Sequence, residues 1–134
     1  MPAIQGLNHI TLAVTDLQRA LDFYCGILGA KKTAKWATGA YLDLGGIWLC
    51  LAVGPVTPRQ DYTHFALSCS GEGFEALAKS IRATSPEWQT NSSQGPSLYF
   101  MDPDGHRLEL HVGDMQSRLD HYRTHPESNV TLYD

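Results

Sequence analysis

Two stretches of this 134-residue chain match each other in order and residue type, and each carries a histidine at the same place. Gly6-Leu7-Asn8-His9-Ile10-Thr11-Leu12-Ala13-Val14 opens one half. Asp61-Tyr62-Thr63-His64-Phe65-Ala66-Leu67-Ser68-Cys69 opens the other, with His64 set 55 residues after His9. A helical pattern follows each, over Leu17 to Leu28 and over Phe74 to Ala83. A strand pair closes each: Ala40 to Leu44 with Ile47 to Leu51, and Ser97 to Met101 with His106 to Leu110. Repetition of this kind means one supersecondary unit used twice. A half of roughly 60 residues buries too little surface to stand alone. The halves must therefore pair, within one chain or between chains.

Local patterning fills in the unit. Ile10, Leu12 and Val14 alternate with His9, Thr11 and Ala13, a period of two that predicts a strand with one face toward a site. Asp16 is placed to cap a helix, and Leu17, Ala20, Leu21, Tyr24 and Leu28 recur at helical spacing until Gly29. Lys31 to Thr38 reads as a strand, and Gly45-Gly46 turns the next hairpin into Ile47 to Val53. Residues 54–60, with Pro55 and Pro58, read as a linker.

The second half repeats the order: a strand over Tyr62 to Cys69, then a helix from Glu72 to Ala83 started by Ser70 or Gly71. A short strand over Glu87 to Thr90 and a polar loop over residues 91–96 come next. A hairpin of Leu98 to Met101 and Arg107 to Val112 then turns through Asp102-Pro103-Asp104-Gly105. Asp114 caps a closing helix to about Arg123. The expectation is an α+β chain of one domain, residues 1–134. It consists of two βαβββ repeats, about 4–54 and 61–113, and a C-terminal helix.

Composition narrows the function. A net charge of −4 speaks against a nucleic-acid surface. No apolar run is long enough to span a bilayer, and the N-terminus lacks a basic-then-apolar leader. Three cysteines, Cys25, Cys50 and Cys69, without paired spacing suit a reducing compartment. A cytoplasmic protein with neither nucleic-acid nor membrane partners is expected.

The chemistry lies in three residues. One strand histidine is by default an ordinary one. Two at equivalent positions of a repeat are not so easily explained, and Glu109 stands between Leu108 and Leu110 on an apolar strand. An unpaired carboxylate is costly to bury there, and a divalent cation removes the cost. His9, His64 and Glu109 therefore read as ligands of an open metal site; the mixed donor set admits Mn, Fe, Co, Ni or Zn. The repeat sets Cys50 on Glu109, as a small buried side chain rather than a fourth ligand. His111 faces the same way as Glu109 and reads as a partner behind the ligands. His106, His121 and His125 read as solvated. Thr11, Ser93, Ser97 and Tyr99 supply hydroxyls, and Arg118 a guanidinium suited to a phosphate-like anion.

These motifs, with Gly39-Ala40-Tyr41-Leu42 and the run from Tyr99 to Gly113, resemble the vicinal oxygen chelate superfamily. They are most similar to its fosfomycin-resistance glutathione transferases, nearly end to end from Gly6 to Arg118. The resemblance implies a homodimer with repeats exchanged between chains. Each site would take His9 from one chain and His64 and Glu109 from the other, around Mn(II). It implies addition of the glutathione thiol to the oxirane of fosfomycin, with Thr11, Tyr99 and Arg118 at the reacting centre. Trp48, Tyr62, Gln89, Ser93 and Ser97 would line the rest of the substrate pocket. Trp36, Trp48 and Cys50 would face glutathione, as in the branch that uses this thiol rather than bacillithiol.

Two positions depart from that pattern. Gln89 stands where the family has a phosphonate-binding lysine, and Gln94, in a loop with Pro96, stands for a glutamate associated with potassium. Competing expectations are an epoxide hydratase and a drug-sequestering binding protein. Gly39, where hydratases carry an added glutamate base, argues against the first. The metal triad argues against the second.

Overall fold

The computed structural model describes residues 2–133, which form two compact units. Of the described residues, the first takes in 2–61 and 102–106, the second 62–101 and 107–133.

In the first unit, strands β1 (His9–Val14), β2 (Lys31–Trp36), β3 (Gly39–Leu44) and β4 (Ile47–Val53) form one mixed sheet in the order β1-β4-β3-β2. The β1–β4 pair is parallel and the other two are antiparallel. The Gly45-Gly46 turn has φ of 59° and 90°, both in the left-handed region that a two-residue hairpin of this twist needs. Alternation sorts the sheet into two faces. Leu12, Val14, Ala40, Leu42, Leu49 and Leu51 are buried, together with Ala20, Leu21, Phe23 and Tyr24 of the helical segment. His9, Thr11, Tyr41 and Trp48 lie on the opposite, exposed face.

The segment expected as one α-helix over Leu17 to Leu28 is two pieces. Helix α1 runs over Leu17–Leu21, capped by the Asp16 carboxylate as expected, and Asp22–Ile27 is π-helical. The Leu28 N–H bonds the Phe23 carbonyl, five residues back, at 3.0 Å. Phe23 and Tyr24 are consecutive, both buried, and meet edge-on at 5.0 Å. A turn of five-residue spacing has the width to take both rings inward.

Tyr24 also fastens the 102–106 turn, donating its hydroxyl to Asp102 Oδ2 at 2.7 Å. Asp104 Oδ1 accepts from Thr15 N–H and Oγ1, and from Arg19. His106, expected in solvent, is half-buried and donates Nε2–H to the Ala13 carbonyl at 2.7 Å. Its place is set by a contact 93 residues away in sequence, which local pattern does not carry.

The second unit repeats the design. Strands β5 (Phe65–Ser68), β6 (Glu87–Gln89), β7 (Ser97–Met101) and β8 (Arg107–His111) lie in the order β5-β8-β7-β6, again with only the first pair parallel. Helix α2 (Phe74–Arg82) buries Phe74, Ala78 and Ile81 at helical spacing, beside Leu98, Phe100, Leu108 and Leu110. It begins two residues later than expected. The Ser70 hydroxyl accepts from Gly73 N–H at 3.0 Å, closing a turn ahead of the helix rather than capping it. Helix α3 (Met115–Arg123) opens on a reciprocal Asp114–Ser117 capping box. Strand β5 is shorter than its pattern, so His64 stands just before it. His121 and His125 are stacked at 3.9 Å and half-buried, not solvated as expected. No helix of the described residues is long and apolar enough to cross a membrane.

The two sheets share a register. Thr11 pairs with Cys50, and Ala66 pairs with Glu109. With His9 set on His64, Thr11 falls on Ala66, so Cys50 falls on Glu109 as the repeat implies.

Candidate active site

The second unit gathers a polar cluster on the sheet face opposite α2. His64 accepts no ambiguity in its orientation, because its Nδ1 lies 2.7 Å from the Tyr62 carbonyl. A carbonyl only accepts, so Nδ1 carries the proton. The other ring nitrogen, Nε2, is 3.0 Å from Glu109 Oε1. A neutral ring would turn a lone pair on a carboxylate at that distance. A proton or a metal ion must stand between these two acceptors. Two ligands of one ion, each about 2.1 Å away, have a separation of this size. Glu109 is 7% exposed, which makes its charge costly without such a partner.

Aromatic rings wall this pair. Trp88 lies 5.2 Å from His64, 5.1 Å from Tyr99 and 5.8 Å from Tyr62, all near edge-on. Its Nε1–H donates to the Leu108 carbonyl at 3.0 Å, and the Arg107 guanidinium lies 5.0 Å from its ring. Trp88 had no signal in the sequence beyond its place in the short strand expected over Glu87 to Thr90; the strand itself runs over Glu87–Gln89. Gln89 Nε2 donates to the Tyr62 hydroxyl at 3.1 Å.

Behind the carboxylate stands Ser97, 8% exposed, whose Oγ donates to Glu109 Oε2 at 2.7 Å. Its proton is thus committed within the protein rather than turned to a ligand. Ser93 is likewise engaged, donating Oγ–H to Asn91 Oδ1 at 2.8 Å inside the polar loop. Arg118 reaches the Gln94 carbonyl with Nη2 at 3.3 Å. Its Nε and Gln94 Oε1 are buried without a hydrogen-bond partner, so the guanidinium keeps an unspent donor. A cavity of about 300 Å³ opens between β5 and the start of α3, lined by Ser68, His111, Gly113 and Arg118 among others.

The first unit carries the other expected residues. His9 is exposed, its Nδ1 donating to Asn8 Oδ1 at 2.6 Å, which leaves Nε2 free to bind. It therefore shows the same tautomer as His64. Trp48 lies 4.5 Å from the His9 ring, Tyr41 5.3 Å from Trp48, and Trp36 4.9 Å from Tyr41. These rings make a half-exposed aromatic ladder across the sheet. Tyr41 pairs with Cys50 as Tyr99 pairs with Glu109, a correspondence readable by counting out from the hairpin turns. Cys50 is buried and free, and Thr11 is exposed two residues from His9. The structure thus brings His64 and Glu109 together and places His9 on the other unit. Among the described residues no group of three or more His, Cys, Asp or Glu forms a metal cluster.

The chain matches the family described as the Glyoxalase/Bleomycin resistance protein/Dioxygenase superfamily over residues 6–110. It is 46% identical over 135 aligned positions to the glutathione transferase FosA of Serratia marcescens, covering 96% of each chain. It is 36% identical to the metallothiol transferase FosB of Lysinibacillus sphaericus, covering 90% of this chain and 91% of that one. Among solved structures it resembles FosX, a fosfomycin resistance protein of Listeria monocytogenes complexed with Mn(II) and sulfate. That likeness has a TM-score of 0.77 and 32% identity, over 89% of this chain and 98% of that one.

Proposed function

The chain belongs to the Glyoxalase/Bleomycin resistance protein/Dioxygenase superfamily, and on that premise we propose that it is a metal-dependent glutathione transferase that opens the oxirane of fosfomycin. The observation that carries the reading is the His64 Nε2–Glu109 Oε1 pair at 3.0 Å, a nitrogen and oxygen donor set with its ring tautomer already fixed. His9 of one copy would complete it beside His64 and Glu109 of a second copy, which makes the working form a homodimer. When bound, a divalent ion, Mn(II) in this reading, supplies positive charge that offsets the charge developing on the oxirane oxygen.

The chain's own residues do the rest. Arg118, with its unpartnered Nε, holds the phosphonate together with the Thr11 and Tyr99 hydroxyls. Gln89, Tyr62 and the Ser93 loop border it. Trp36, Tyr41 and Trp48 offer glutathione an aromatic platform beside Cys50, and orientation there lowers the entropic cost of bringing two substrates together. The thiolate sulfur forms a bond to an oxirane carbon, the ring C–O bond breaks, and the freed oxygen takes a proton.

Gly39 favours a thiol over water as nucleophile. It stands where a hydratase would carry its glutamate base, and a Cβ there would lie 2.7 Å from both the Leu51 carbonyl oxygen and Trp36 Cζ2. A carboxylate side chain there would require the Leu51 backbone and the Trp36 ring to shift.

Expression in a fosfomycin-sensitive bacterium tests the reading. Wild type should protect and Glu109→Ala should not, and protection should vanish in cells lacking glutathione. Protection that survives without glutathione but not without Glu109 would mean addition of water or of another thiol. Protection that survives both changes would mean sequestration.

A further inference from the structure

Glu109 has two oxygens, and only Oε1 faces His64. Oε2 accepts from Ser97 Oγ at 2.7 Å, and Ser97 Oγ lies 2.5 Å from His111 Nδ1. Counting donors fixes the direction of this chain. An ionised carboxylate can only accept, so the one hydroxyl proton points to Glu109. The short contact to His111 then requires Nδ1 to donate to Ser97 Oγ. The sequence runs His111 Nδ1–H to Ser97 Oγ–H to Glu109 Oε2.

The sheet builds this arrangement. Ser97 and His111 are register partners across β7 and β8, and Glu109 and His111 share a face of β8. The imidazole sits in a slot between two glycines. A Cβ on Gly95 would stand 3.3 Å from its Cε1, and one on Gly113 3.2 Å from its Nε2. Both contacts are tighter than ordinary packing, so a larger residue at either place would press on the ring.

We propose that His111 is a positioning residue of the metal site. It pins the Ser97 hydroxyl, and through it the plane of the Glu109 carboxylate, so that Oε1 alone is presented beside His64. The inference rests on the reading of His64 and Glu109 as ligands. It also assigns Ser97 to the support of a ligand, in place of the phosphonate contact expected from sequence.

The test is Mn(II) affinity, measured calorimetrically on the purified chain, with no substrate present. His111→Leu keeps bulk and loses the donor; it should weaken binding by about 10- to 100-fold, as loss of a group behind a ligand does. His111→Asn restores an N–H near the Nδ1 position and should recover most of that loss. Ser97→Ala should weaken binding as much as His111→Leu. The double variant should be no worse than either, because one chain is broken in each case. A purely structural role would instead give losses that add and an Asn variant as weak as Leu. Wild-type affinity in His111→Leu, an unrescued Asn variant, or additive losses would each overturn the proposal. If His111→Leu does not fold, Ser97→Ala against Ser97→Thr, which keeps the hydroxyl, decides the same question. Failure of the underlying reading looks different: Glu109→Ala would itself bind Mn(II) like wild type.

Discussion

His64 turns Nε2 toward Glu109 Oε1 at 3.0 Å, with its Nδ1 spent on the Tyr62 carbonyl at 2.7 Å. His9, its counterpart in the repeat, has Nδ1 spent on Asn8 in the same way. In each ring Nδ1 is thus committed, which leaves Nε2 as the nitrogen that would face a metal under the proposed reading.

If two copies share each site, defects on opposite sides of it should complement. A His9→Ala chain and a Glu109→Ala chain are each expected to be inactive. Mixed, denatured and refolded together, they should recover about a quarter of wild-type activity: random pairing makes half the dimers mixed, each with one intact site of two. Recovery of none, with both variants folded and dimeric by sedimentation, would place each site within one chain.

Arg118 is expected to hold the phosphonate. Arg118→Ala should cost about 2–4 kcal/mol of transition-state binding, roughly 30- to 1,000-fold in kcat/KM for fosfomycin. Steady-state kinetics at saturating glutathione measure this. An unchanged kcat/KM would remove Arg118 from the site.

Gln89 offers a neutral amide where the family pattern has a lysine, and it now donates to the Tyr62 hydroxyl. A charged donor to an anion is worth about 1 kcal/mol more than a neutral one. Gln89→Lys should therefore raise kcat/KM for fosfomycin about fivefold, more at low salt, and do little for an uncharged epoxide. A fall in fosfomycin turnover, or an equal gain with both epoxides, would show that Gln89 is not a weakened phosphonate contact.

Asp102 gives stability a pH dependence. Burial raises its pKa above the usual carboxylate range, against the pull of hydrogen bonds from Tyr24, His106 and Asp104. Between the ordinary value near 4 and the higher folded value, the unfolded chain is ionised while the folded one holds the proton. Stability therefore falls as pH rises through that window. Denaturant unfolding across it should show a downward slope that Asp102→Asn flattens. Identical slopes in the two proteins would contradict the assignment.

Much of this was legible in the chain itself. The period-two runs gave the strands, Asp16 and Asp114 gave two helix caps, and Gly45-Gly46 gave a hairpin turn. The repeat pointed to His64, and the cost of burying a carboxylate between Leu108 and Leu110 pointed to Glu109. What escaped reading is long-range or is a choice between near-equal local states. Helical periodicity over two turns does not separate four-residue from five-residue bonding, which hid the π segment at Asp22–Ile27. The ties of Ser97 to Glu109 and of His106 to Ala13 depend on strand register and turn placement. Trp88 becomes informative only when its three ring neighbours are in place.

Phosphorus NMR of the product decides whether the protein adds a thiol to fosfomycin in a metal-dependent reaction. Purified protein with Mn(II), glutathione and fosfomycin should convert the drug signal to that of a thioether adduct. The conversion should stop when Mn(II) or glutathione is left out, and in Glu109→Ala. A diol formed with water alone, or an unchanged drug signal in the complete mixture, would contradict the account.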